Sequence, residues 1–382
     1  MNETAAYLDY NATAPVLPQV IEAVRRRQEI GGNPSSVHAL GRDARSAVER
    51  AREQVAGLIN ARPDQVVFTS GGTESNNLAL NGPGARRLAV SAVEHGSVLA
   101  AALVSDPDAL ILAVDGSGRV SPESIAKALA DCDREVLASV MLANNETGVI
   151  NPVREIAAAV YAVGGRVHCD AIQAVGKIPV DFADLGVDLM SVSAHKIGGP
   201  QGVGALIVAD SVELAARVVG GGQERGLRAG TENVPGIVGF GVAAEICAGS
   251  LSVFTELAGW RDDLERGLKR IAVDARVIGE EASRLPNTSC ITMPGVASET
   301  QVMALDLSGV AVSAGAACSS GKVARSHVLD AMGLEDDIAG SAIRVSLGWN
   351  TKESDLDKLC EAWSELYART HNERLTRTQP AA

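Results

Sequence analysis

Gly164-Gly165-Arg166-Val167-His168-Cys169-Asp170-Ala171-Ile172-Gln173, and after it Leu189-Met190-Ser191-Val192-Ser193-Ala194-His195-Lys196, form the stretch on which the fold turns. Each half is a short apolar run that ends near a charged side chain, first Asp170 and then, 26 residues on, Lys196. The runs are too short for helices and read as neighbouring buried strands. Working outward, Val66-Val67-Phe68-Thr69, Leu88-Ala89-Val90, Leu110 to Val114 and Val136 to Leu142 have the same character. Helical patterns such as Ser121 to Ala130 and Val153 to Val163 lie between several of them. Strand–helix alternation predicts an α/β protein whose mostly parallel sheet carries helices on both faces. Ala205-Leu206-Ile207-Val208 closely follows a Gly-rich turn and is expected to add a strand of opposite direction.

Beyond a long helix near Gly236 to Gly249 the pattern changes, at about Leu251. A helix at Asp262 to Ile271, short strands at Cys290 to Met293 and Ile343 to Ser346, and an amphipathic helix from Glu353 to Tyr367 suggest a smaller α+β unit. The polar tail Asn372 to Ala382 is expected to fray.

The 382 residues are 46% hydrophobic and 21% charged, a globular composition with length for more than one domain. A formal charge of −13 argues against direct nucleic-acid binding, which needs clustered cations. Arg25-Arg26-Arg27 and Arg42 to Arg52 are interleaved with apolar residues at helical spacing and read as solvated helix faces. At 3% aromatics there is no platform for stacking bases. No apolar run reaches the length of about 18 residues that spans a bilayer, so no membrane contact is expected. Met1 to Asp9 carries neither the basic nor the apolar part of a signal peptide. Cys132, Cys169, Cys247, Cys290, Cys318 and Cys360 are scattered without a CxxC pair, which suits reduced thiols in the cytoplasm.

A Lys at the end of an apolar strand is unusual, because desolvating an ammonium is costly. Lys196 is either a surface residue at a strand edge or an amine tuned to attack a carbonyl. Asp170 is either a helix N-cap or an acidic partner for a heterocyclic nitrogen. Together the two supply what pyridoxal phosphate requires: a Lys for its aldehyde and an acid for its pyridinium. Thr69-Ser70-Gly71-Gly72-Thr73-Glu74-Ser75-Asn76-Asn77 follows a strand and opens a helix, as an ordinary turn or as a phosphate cradle. Glu94-His95 follows another strand, where an imidazole is either structural or stacked on a flat cofactor.

The combination resembles the cysteine desulfurases of the iron–sulfur-assembly and nitrogen-fixation type, class V pyridoxal-phosphate enzymes of the aspartate-aminotransferase fold. The residues that carry it are Tyr7 to Thr13, Gly31 to Ser36, Gly72 to Asn77, Glu94-His95, Asn144 to Gly148, Asp170 to Gln173 and Ser193 to Lys196. Gly220 to Gly226, Arg228 to Thr231, Ser313 to Ser320 and Ile343 to Gly348 complete the series over nearly the whole chain. The resemblance implies a large domain at 15–252 with a mostly parallel seven-stranded sheet. A small α+β domain at 253–382 would follow, with segment 1–14 packed against it.

It also implies roles. Lys196 would hold pyridoxal 5'-phosphate as a Schiff base and shuttle protons; His95 would stack on the ring and act as acid and base. Asp170 would pair with the pyridinium, and Gln173 and Asn145 would bond near the phenolic oxygen. Gly72, Thr73, Ser193 and His195 would hold the phosphate, with Thr231 reaching it from the second subunit of a homodimer. Arg344 would clamp the carboxylate of the substrate, L-cysteine, with Asn145 and Asn33 beside it. Cys318, set among small residues that suggest a mobile loop, would attack the substrate sulfur and pass the persulfide to an iron–sulfur scaffold or sulfur-carrier protein. No metal of its own is expected, although Cys318 would be able to share a cluster transiently with a scaffold. The other five cysteines read as buried small hydrophobes.

The family pattern often has an aromatic and a Lys where this chain has Gly198 and Gln201. His95 is followed by Gly96-Ser97, and Lys322 and Arg325 follow Cys318. None of these departures is expected to touch the chemistry. Rival readings are a selenocysteine lyase or aminotransferase of the same fold, a dehydrogenase, and a metal hydrolase built from His95, His168, His195 and Asp170. An aminotransferase needs no loop thiol, the dehydrogenase lacks its GxGxxG turn, and the hydrolase lacks a ligand-like spacing.

Overall fold

A computed structural model describes residues 5–84, 86–129, 132, 135–315 and 325–378. Cys318 and Lys322 lie outside the described residues. The central sheet has seven strands, in the order Val66–Thr69, Gly204–Val208, Leu189–Ser193, Arg166–Asp170, Val136–Ser139, Arg87–Ser91 and Leu110–Leu112. All run one way except Gly204–Val208, which is antiparallel to both neighbours as its sequence suggested. Two strands stop sooner than their apolar runs. Regular pairing ends at Ser139, although the Val140 and Leu142 amides still donate to the His168 and Asp170 carbonyls at 3.0 and 2.9 Å. Past Leu112 the chain turns toward the loop that Asp115 caps by accepting from the Ser117 and Arg119 amides.

Side-chain alternation builds two cores from one sheet. Phe68, Ala89, Ala138, Met190 and Ile207 face the larger core, with the helices Ala39–Leu58 and Val234–Ala248. Val67, Val90, Leu137, Leu189 and Leu206 face the other side, under the helices Gly72–Asn81 and Gly96–Ser105. Two arginines expected in solvated faces are instead buried. Arg27 pairs with Asp43 at 2.5 Å, and Arg52 grips both oxygens of the buried Glu224, at 2.7 and 2.8 Å, above the ring of Phe68. Their charge is spent on holding elements together rather than on solubility.

The helix Leu251–Ile271 follows Val234–Ala248 at an angle of 69° and packs into a separate core with Leu264, Leu305, Val345 and Trp363. That core covers a three-stranded sheet, Ser313–Ala314, Ala342–Ser346 and Thr288–Thr292. Near the N-terminus, Ala6–Tyr7 pairs with Val310–Ala311, and Leu8 is buried in the same core. The last helix does not stop at Tyr367 but runs Glu353–Thr378, through most of the tail expected to fray. No single helix among the described residues is long and apolar enough to cross a membrane.

Candidate active site

Parallel strands deliver their C-terminal ends to one edge of a sheet, and that edge is where such folds bind ligands. Here the edge carries a cavity of about 260 Å³ lined by Gly72, Thr73, His95, Ser97, Met141, Asn145, Asp170, Ile172, Gln173, Ser193, His195 and Lys196. Every residue expected at the cofactor is in that wall except Thr231, which is exposed in this chain. Asn33 is likewise exposed, its Oδ1 accepting from the Ser35 amide at 2.9 Å, and is not brought to the cavity of its own chain. Its short side chain is spent on the local turn. Arg344 stands behind Asn145, donating to the Asn145 carbonyl at 3.0 Å.

Lys196 sits in a single helical turn directly after Ser193. Its Nζ donates to the carbonyls of Asn11 and Ala12 at 2.6 and 2.8 Å. Burial, helped by the nearby Arg344 charge, pushes its pKa down to about 8, against the weaker pull of Asp9 and Asp170. A deep carboxylate stands opposite. Asp170 accepts from Asn76 Nδ2 at 2.8 Å and from the Ile172 amide at 3.0 Å, while burial raises its pKa. Asn76 also donates to Ser97 Oγ at 2.9 Å, and Ser97 Oγ lies 2.8 Å from His95 Nδ1. The Ser97 amide donates to the same nitrogen at 3.1 Å, so Nδ1 is an acceptor and the neutral ring carries its proton on Nε2. Burial lowers the His95 pKa and keeps the ring neutral. Ser97 therefore does touch the site, contrary to expectation: it sets the His95 tautomer and joins that ring to Asp170 through Asn76.

No cofactor is part of the structure, so whether the wall suits pyridoxal phosphate rests on the wall itself. Gly71, at φ 149°, and Gly72 open the helix Gly72–Asn81, whose first-turn N–H groups have no carbonyl partner within the helix. A Cβ at Gly72 would meet Ile172 Cδ1 at 2.3 Å, so a larger residue here would have to push the Ile172 side chain aside. Ser193 Oγ is buried with no hydrogen-bond partner among the described residues. His195 bonds to Thr13 Oγ1 at 3.2 Å, and burial first, then Lys196 and Lys177, push its pKa down to about 4. Bare amides, an unpaired hydroxyl and a neutral imidazole suit a phosphate. Asp170 and Lys196 suit a pyridinium and an aldehyde. The residues fit the group.

The hydrolase reading fails on placement. His168 is buried inside the sheet between Ser139 Oγ and Ser191 Oγ, at 2.8 and 2.9 Å, with its pKa pushed down to about 3 by burial. Among the described residues no three His, Cys, Asp or Glu side chains are grouped to hold a metal. Cys169, Cys247 and Cys290 are buried, whereas Cys132 and Cys360 are only half-buried, less than expected. None of these five lines the cavity.

Sequence reasoning assigned no role to Asn11, Lys177 or Glu94. Asn11 is a hub: its carbonyl accepts from Lys196 and Gln173, and its amide side chain bonds to Lys177, Thr288 and the Asn145 carbonyl. Glu94 is fully buried, accepts from the Met141 amide at 2.6 Å, and has its pKa raised by burial. Asn11 lay within a family motif, and Glu94 directly precedes His95, but spacing alone does not reveal such contacts.

Residues 6–359 match the family described as aminotransferase class-V. The chain is 42% identical over 366 residues to a cysteine desulfurase of Cereibacter sphaeroides, covering 93% of this chain and 94% of that one. It is 40% identical over 385 residues to an IscS-like cysteine desulfurase of Mycobacterium tuberculosis, covering 97% and 98%. Among solved structures, a NifS-like protein from Rickettsia africae superposes with a TM-score of 0.88 at 33% identity, covering 95% of this chain and 99% of that one. SspA in complex with cysteine superposes at 0.78 with 30% identity, covering 90% and 98%.

Proposed function

This chain belongs to the class-V aminotransferase family and is a pyridoxal-phosphate-dependent cysteine desulfurase, and on that premise we propose that Lys196 holds the cofactor and Cys318 takes the sulfur. Bound pyridoxal phosphate supplies an aldehyde for amines and an electron-poor ring that steadies a carbanion at the substrate α-carbon. The chain supplies the rest. Lys196, at about 8, is partly neutral near pH 7, so it can bond to an aldehyde and later carry a proton. Asp170 faces the ring nitrogen, and Gln173 and Asn145 face the phenolic oxygen. Gly72, Thr73, Ser193 and His195 take the phosphate. His95 covers the ring and works through Nε2, its other nitrogen being held by Ser97.

Arg344 receives the cysteine carboxylate, with Asn145 beside it. The Cys318 thiolate attacks the substrate sulfur and the carbon–sulfur bond breaks. The sulfur stays on Cys318 as a persulfide, and the carbon skeleton gains a proton and leaves as alanine. An iron–sulfur scaffold or sulfur-carrier protein then accepts the sulfur, for iron–sulfur clusters or thiolated RNA. Two chains pair so that Thr231 of one reaches the phosphate held by the other; its exposure in the single chain supports this. The setting is the cytoplasm, in keeping with the five unpaired thiols among the described residues.

The observation that carries these roles is the single cavity that gathers Lys196, Asp170, His95 and the bare amides of Gly72 and Thr73. Borohydride reduction of the yellow protein, followed by digestion and mass spectrometry, tests it. The pyridoxyl group is expected on Lys196, and a label on any other lysine overturns the assignment. Light scattering is expected to give about twice the 39.4 kDa chain mass, and a fully active monomer would contradict the shared site.

A further inference from the structure

Lys177 is fully enclosed and does not line the cavity that holds Lys196 and Gln173; it borders instead a second, apolar cavity of about 130 Å³ on the far side of Lys196. Its Nζ makes two hydrogen bonds, to Gln173 Oε1 at 2.7 Å and to Asn11 Oδ1 at 2.8 Å. The turn Ala171–Lys177, closed by bonds such as Val175 N to Ala171 O, puts residues 173 and 177 on one side. Gln173 Nε2 in turn donates to the Asn11 carbonyl at 2.9 Å. Among the described residues no acid acts on Lys177; the charges that do are those of Lys196 and Arg344, and burial first, then these two, pushes its pKa well down. Nζ therefore spends two of its N–H groups on two side-chain amide oxygens, one of them that of Gln173.

We infer that Lys177 is a positioning residue that fixes which way the Gln173 amide faces, keeping its oxygen inside the protein and an N–H toward the cofactor's phenolic oxygen. The reversed amide would set its oxygen against the Asn11 carbonyl and its NH2 against the Nζ that now donates to it. Of the two N–H groups on Gln173, one is used by Asn11, and the other is left for the cavity that Gln173 lines. This rests on the reading of Gln173 as the neighbour of the phenolic oxygen. A donor at that oxygen draws off negative charge that would otherwise hold a proton on the adjoining Lys196 nitrogen. Its loss raises the pH midpoint of the loaded protein's near-visible absorption.

The test titrates that absorption in the holoenzyme with three variants: Gln173→Leu, Lys177→Met and both together. Gln173→Leu is expected to raise the midpoint. Lys177→Met, similar in length but without donors, is expected to raise it by about half a pH unit or more, and the double variant no further than Gln173→Leu alone, because residues acting in series do not add. Lys177→Gln, which retains a donor, is expected to fall between wild type and Lys177→Met and serves if the Met variant does not fold. A wild-type midpoint in both Lys177 variants, or additive shifts, overturns the role of Lys177 while leaving Gln173 in place. An unmoved Gln173→Leu midpoint overturns the reading of Gln173, and this inference with it.

Discussion

Arg344 and Asp9 form an ion pair of 2.7 Å, so the guanidinium that would clamp a substrate carboxylate is already engaged by a carboxylate of its own chain. Arg344 is buried, its Nη1 bonds to the Asn145 carbonyl, and its Nε is buried without a partner among the described residues. Asp9 neutralises and orients it. Arg344→Lys cannot reproduce a bidentate contact and is expected to raise KM for cysteine about 100-fold, close to 3 kcal/mol. Asp9→Asn keeps an acceptor but loses the charge, and is expected to raise KM about tenfold with kcat little changed. Alanine production against cysteine concentration measures both. A fall in KM for Asp9→Asn would mean that Asp9 competes with substrate rather than aiming Arg344.

Lys196 carries a pH prediction. Its pKa is pushed from 10.5 down to about 8, mainly by burial, and only the neutral amine attacks an aldehyde. The rate at which cofactor-free protein captures pyridoxal phosphate should rise with pH up to about 8 and level off above it. Asp9 holds that value up, so Asp9→Asn should move the rise to lower pH. Stopped-flow absorbance reads the profile; a rate still climbing past pH 10 would place Lys196 in water, not in a dry site.

Glu146 gives a stability prediction with a definite sign. Burial raises its pKa from 4.5 to about 7, although Ser326 Oγ donates to it at 2.5 Å and Arg344 acts the other way. The folded state therefore holds a proton that the unfolded state has released between about pH 4.5 and 7. The group's contribution to stability is complete below 4.5 and is lost as pH rises through about 7. Glu146→Gln mimics the protonated form. The difference in Tm, variant minus wild type, should climb as pH goes from 5 to 8. A difference independent of pH would show that Glu146 is ionised throughout.

The part of this site that could be read in the sequence is the part that depends on strand ends. Asp170 and Ser193 finish neighbouring parallel strands, and Lys196 follows within one turn, so their meeting is implied by topology alone. Gly72 and His95 follow strands of the same sheet and arrive at the same edge. The Arg344–Asp9 pair was hidden because its partners are 335 residues apart and only the folded chain joins them. Asn76 bridging Asp170 and Ser97, and Lys177 beneath Gln173, depend on side-chain reach within the fold, which no periodicity records. Burial of Arg52 was misread for a related reason. Its helical spacing was visible, but Glu224, 172 residues away, was not visible as its partner.

The last prediction concerns the thiol. Burial pushes Cys247 and Cys290 up to about 12 and raises Cys169 and Cys360 as well, so these four hold their protons and attack poorly. Cys132 packs at the margin of the large core and is not in the cavity wall. Cys318 follows Ser313–Ala314, whose neighbour in the sheet is the strand that carries Arg344. Cys318→Ala should therefore keep the yellow colour and still bind cysteine, since Lys196 and Arg344 are untouched. Alanine production should fall at least about 100-fold, the scale expected when a covalent route is removed. Wild type and variant are incubated with cysteine, persulfides are trapped by alkylation, and the added sulfur is located by mass spectrometry. Sulfur is expected on Cys318 in the wild type and on no cysteine in the variant. Sulfur on Cys132 or Cys360, the two half-buried thiols, or undiminished alanine from the variant, would remove Cys318 from the reaction.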